Sequence, residues 1–249
     1  MAEAPAQVST NGPNNAVVRT SWGFWASLVW VIAAFIVPNI PVVLALGAWV
    51  RASRQLGSDE TVLASTAVLS AAYVPTVITL YFVARIRSPS GLRYLGLQWP
   101  KLRYVLLGFL CWFLYVIVVF GSMIAVYGEL VGNETIELYR SALQAHALLF
   151  LLVCIVLIAP LGEEIIFRGF LFRGWSESHV GVLGAILLTS IAWVLAHLPN
   201  NPTFLSMIFV LGLMLGWLRW LSGSILPTIV VHVLTNAVIM LHASNAVSR

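Results

Sequence analysis

The amino-acid sequence predicts an all-α fold, a polytopic transmembrane helical bundle of about seven helices. Three observations predict it. Hydrophobic residues make up 60% of the 249 and charged residues only 9%, against about a quarter charged in an average soluble domain. The mean hydropathy is +0.95, and several apolar runs exceed the roughly 18 residues a membrane-crossing helix requires. The runs also lack the apolar–polar alternation of a membrane barrel, and an isolated strand cannot satisfy its backbone in lipid.

The elements follow in order. Residues 1–20, rich in Ala, Pro, Asn and Ser, read as a disordered N-terminal tail. Residues 21–249 read as one transmembrane domain, with apolar runs at 22–50, 61–84, 104–127, 146–173, 181–198, 203–221 and 225–242. Pro38 and Pro41 predict a kink in the first. Arg85, Arg87, Arg93, Lys101 and Arg103 follow the second run and place that loop, and with it the N-terminus, in the cytoplasm. Glu129, Glu134 and Glu137, with Arg140, mark the loop after the third run as external. Arg51 and Arg54 oppose this orientation but are outnumbered. Cys111 and Cys154 lie within apolar runs and read as small core residues. The net charge of +4 is not gathered into a basic cluster, which excludes a nucleic-acid partner and leaves the lipid bilayer.

Ionisable residues inside the apolar runs single out the chemistry. Each costs about 2.5–3.5 kcal/mol at bilayer depth. Glu163, Glu164 and Arg168 interrupt the fourth run, His197 closes the fifth, and His232 and Asn236 lie within the seventh. Glu164 and Arg168 are four apart and share a helix face, as an ion pair does. Glu163 is rotated by about 100° and has no cation at that spacing, which leaves it available as a general base. His232 and Asn236 also share a face, either for helix packing or as paired donors to an oxyanion. Glu163 and His197 are equidistant from position 180, within a turn-like Ser178–Gly184 stretch, so they reach one level on antiparallel helices. The polar Asn200–Asn201 segment is expected to sink into the protein and line a wet cavity. Ser190 and Ser206 read as packing residues, and Gly212 and Gly216 as a close helix contact.

Glu163-Glu164-x-x-x-Arg168, Trp193-x-x-x-His197 and His232-x-x-x-Asn236 resemble, in order, the three motifs of the CAAX-protease and bacteriocin-processing family of intramembrane peptidases. The resemblance covers 146–242. It implies an endopeptidase of the type II CAAX prenyl protease kind in a bacterial plasma membrane, acting on a membrane-associated protein or lipidated peptide. Glu163 and His197 would activate water, His232 and Asn236 would stabilise the oxyanion, and Glu164 and Arg168 would hold the site. Trp193 stands where the family usually has Phe, a difference expected to alter packing more than chemistry. Zinc held by Glu163, His197 and His232 is an alternative to a cofactor-free reaction, although the His-Glu-x-x-His spacing of zinc peptidases is absent. A non-catalytic scaffold or immunity protein of the same fold and a small transporter are the competing readings. A transporter would spread its polar residues over both halves of the chain.

Overall fold

The computed structural model describes residues 21–52, 58–128, 133–198 and 200–248. The tail 1–20, and Arg54 and Glu129 of the orientation argument, lie outside the described residues. Among the described residues the chain is helical without a strand: α1 (23–52), α2 (Ser58–Arg87), α3 (Gly91–Tyr94), α4 (102–127), α5 (Asn133–Gln144), α6 (Leu148–Ser176), α7 (Gly181–Ala196), α8 (Pro202–Ser222) and α9 (Leu226–Val247). Seven of these coincide with the seven apolar runs. The other two fall in stretches expected to be loops. α5 escaped a hydropathy reading because it is amphipathic: Ile136 and Tyr139 pack on the core, while Glu134 and Glu137 face outward.

Five helices are long and apolar enough to cross a membrane: Gly23–Ala45 within α1, Leu102–Val126 within α4, and α6, α8 and α9. Their outward residues are large and apolar, among them Val29, Phe109, Phe113, Leu149 and Leu241. Lipid is the solvent in which such a surface carries no cost. The protein is an integral membrane protein. α7, with 16 residues, rises only about 24 Å, short of the roughly 30 Å hydrocarbon core. Its last position is followed directly by His197.

Two irregularities position the site. The expected kink in α1 is a single 3₁₀ turn at Val37–Asn39. Asn39 Nδ2 fills the disturbed ladder by donating to the Phe35 carbonyl (2.8 Å) and also reaches Thr76 Oγ1 (3.1 Å), which ties α1 to α2. In α6 the helix widens to π geometry at Val153–Ile158 and again at Glu164–Leu171. The Ala159 amide donates to the Cys154 carbonyl. By the same step the Ile155 carbonyl would need the amide of residue 160, and Pro160 has none. A side chain from another helix must supply that donor.

The expected close contact between helices occurs between α7 and α8. A Cβ on Gly212 would lie 2.9 Å from Ser190 Cβ, and one on Gly216 would lie 3.2 Å from Ile186 Cγ2. Ser190 and Ser206 bond to carbonyls of their own helices, as packing residues do. Gly212→Ala is expected to destabilise the bundle by about 1–3 kcal/mol through overpacking. Thermal unfolding of the purified protein checks this. Ser190→Gly in the same chain should recover part of the loss, because it removes the atom that clashes.

Candidate active site

A buried ionic centre lies at the middle of α6. Glu164 and Arg168 are both fully buried, and Arg168 Nη1 donates to Glu164 Oε1 at 3.0 Å, the pair expected from their spacing. His232 Nδ1, from α9, meets the same oxygen at 3.0 Å. Arg168 lies flat over the Trp193 ring, 4.3 Å from its centroid, and its Nη2 reaches the Gly212 carbonyl of α8 at 3.4 Å. One carboxylate thus joins α6 to α9 directly and, through Arg168, to α7 and α8. Isolated charges cannot persist at such depth, so each member depends on the others.

Glu163 points elsewhere, as the helix rotation requires, but it is not free of partners. Tyr73 of α2 donates to its Oε1 at 2.9 Å, and Trp193 Nε1 donates to its Oε2 at 2.6 Å. His232 Nε2 lies 3.9 Å from Oε2, beyond hydrogen-bond reach. Trp193 therefore does more than pack. Its indole N–H is a donor that Phe lacks, which corrects the expectation of a packing change alone. Tyr73 was missed because it lies in a run with no motif. A tyrosine amid apolar helix residues, whose hydroxyl needs a buried partner, was the one available signal.

His197 caps α7. The helix tightens there, and the His197 amide bonds to the Val194 carbonyl at 3.0 Å instead of to Trp193. The vacated Trp193 carbonyl accepts from His197 Nδ1 at 2.9 Å. That bond requires a proton on Nδ1 and fixes the orientation of the ring. Asn200 Nδ2 in turn donates to the His197 carbonyl. Asn236 supplies the donor missing in α6: its Nδ2 bonds to the Ile155 carbonyl at 2.9 Å. An amide nitrogen carries two hydrogens, so one remains available.

Glu163, His197, His232 and Asn236 line a single cavity of about 320 Å³, bounded by Tyr115, Thr135 and other residues of α4, α5 and α8. A second, largely apolar cavity of about 600 Å³ opens between α1, α2 and α7. Glu163, Trp193, His197 and Asn200 line both, so these residues form the boundary between them. Asn200 lines both cavities, but Asn200 and Asn201 are exposed, so the segment is not sunk into the protein as expected. Among the described residues, no group of three or more His, Cys, Asp or Glu is placed to hold a metal ion.

Glu164→Gln is expected to destabilise the protein by roughly 3 kcal/mol or more, because it leaves Arg168 and His232 without a buried counter-charge. Glu163→Gln should cost far less. The Tyr73 hydroxyl can accept from the new amide while Trp193 continues to donate to its oxygen. Thermal unfolding of the two variants side by side measures the difference.

Residues 145–238 match the family model described as Rce1-like, type II CAAX prenyl endopeptidase Rce1-like. No curated protein and no solved structure matches the chain. The matched segment contains Glu163, Glu164, Arg168, His197, His232 and Asn236, together with Trp193. Residues 145–238 of this integral membrane protein are accordingly similar to the Rce1-like family, a family of CAAX-type proteases.

Proposed function

We propose that the protein is an intramembrane endopeptidase that hydrolyses a peptide bond of a membrane-associated protein or lipidated peptide, using water activated by Glu163 and His197. The observation that carries this reading is the convergence of Glu163, His197, His232 and Asn236 on one cavity at membrane depth. Water entering the cavity meets the Glu163 carboxylate and the Nε2 lone pair of His197. Glu163 takes a proton as the water oxygen attacks the scissile carbonyl carbon. The carbonyl oxygen becomes an oxyanion, met by the second N–H of Asn236 and by His232 Nε2. The C–N bond then breaks, and the proton held by Glu163 passes to the leaving amine.

His232 Nδ1 donates to Glu164, so donation from Nε2 to the oxyanion requires a doubly protonated ring. Glu164 and Arg168 act by orienting His232 and Trp193. No step in this reaction requires a metal. The basic loop 85–103 is assigned to the cytoplasmic face.

The test uses the full chain in lipid nanodiscs and a fluorogenic peptide ending in a farnesylated CAAX sequence. Glu163→Gln should lose turnover by a factor of at least about a hundred, the lower range for a positioned general base, while its unfolding temperature stays close to that of the wild type. Equal activity in the two proteins would refute the assignment. Asn236→Ala should also lower kcat, and it should reduce stability because the Ile155 carbonyl loses its donor. Activity is expected to survive exhaustive chelation. Stoichiometric zinc in the purified protein, with activity lost on its removal and restored on its return, would make Glu163, His197 and His232 ligands instead.

A further inference from the structure

We propose that Tyr73, on α2 and outside the segment 145–238, is a positioning residue for Glu163 that works with Trp193 as a two-point clamp on the carboxylate. The inference rests on Glu163 being the base that activates water. The last torsion of a glutamate is broad, and a carboxylate held at one oxygen can still swing. Here each oxygen has its own donor on a different helix. The Tyr73 hydroxyl is 2.9 Å from Oε1, and Trp193 Nε1 is 2.6 Å from Oε2. The plane of the carboxylate is therefore fixed by α2 on one side and α7 on the other. Each carboxylate oxygen has a second acceptor site, so both donors leave room for the reacting water.

The surroundings of Tyr73 hold this arrangement. Its ring lies against α6 at Gly162, the residue directly before Glu163. A Cβ at Gly162 would sit 2.5 Å from the ring, so only glycine lets Tyr73 approach so closely. Ala72 and Thr76, on either side of Tyr73, are both bonded by Asn39 of α1, which fixes this stretch of α2. Tyr73 also lines the larger cavity together with Glu163. A tyrosine that merely needed a buried acceptor for its hydroxyl would affect stability. A positioning residue affects the rate of the chemical step with little effect on substrate affinity.

Tyr73→Phe separates these roles, because it keeps the ring on Gly162 and removes only the hydroxyl. Two measurements are made on the full chain in nanodiscs. The first needs no substrate: the carboxylate stretching band of Glu163, identified by infrared spectroscopy of glutamate-labelled protein as the band lost in Glu163→Gln. The second is kcat and KM on the farnesylated CAAX peptide. The expected result is a shifted band together with a kcat about tenfold lower, at a KM within about twofold of wild type. Trp193→Phe, which removes the other donor, should also shift the band and lower kcat. An unmoved band means that Tyr73 does not hold Glu163, and the proposal fails. A shifted band with unchanged kcat makes the bond structural only, and the proposal also fails. If the wild type does not cleave the peptide, or Glu163→Gln still does, the peptidase reading falls and takes the positioning role with it. The infrared result then still decides separately whether the bond exists.

Discussion

The structure depends on one shared carboxylate oxygen. Glu164 Oε1 accepts from both Arg168 and His232 in a position closed to solvent. None of the three residues could remain charged at that depth alone. Their mutual dependence fixes the rotation of α6 relative to α9, and the stacking of Arg168 on Trp193 fixes α7 against both. A centre built from charge is a costly way to hold helices together, since an apolar replacement is often as stable. It leaves a result that apolar packing does not give. His232 is held by one nitrogen while the other faces the cavity.

The two neighbouring glutamates divide their duties through helix geometry. One residue of rotation turns Glu163 away from Arg168 and toward Tyr73 and Trp193, which are neutral donors. Glu164 is locked into ionic contacts and unavailable to water. Glu163 is held by groups that carry no charge and lines the cavity, the arrangement on which its proposed role as a base rests. The π turn beginning at Glu164 lies at the same place. It widens the helix where the two carboxylates diverge, in line with the tendency of such turns to occur at functional sites.

Much of this was legible in the sequence because lipid makes polar residues conspicuous. Each apolar run became a helix, and each intramembrane ionisable residue singled out in advance reached the buried centre or its cavity. The Glu164–Arg168 pair followed from spacing alone. What could not be read were partners that depend on which helices become neighbours. Tyr73 and Glu163 are 90 residues apart, and no local pattern links them. The same holds for Asn236 and the Ile155 carbonyl. The vacancy could be anticipated from Pro160, but not the side chain that fills it. α5 was hidden for a different reason: its polar face lowers its hydropathy to that of a loop.

The end of α7 connects fold to chemistry. α7 stops at Ala196, and the turn that follows it, with His197 half-buried and Asn200 exposed, draws on local partners for its backbone. Asn200 and the His197 ring supply two of them, to the carbonyls of His197 and Trp193. The ring is thereby fixed in orientation, with Nδ1 as the donor. The requirement that every backbone group in a membrane be satisfied thus orients the imidazole that lines the cavity with Glu163. The same logic holds on α6, where the carbonyl left open by Pro160 anchors Asn236 at the opposite side of the cavity. Two defects in helical bonding, each repaired by a polar side chain, orient two of the four groups that face the cavity.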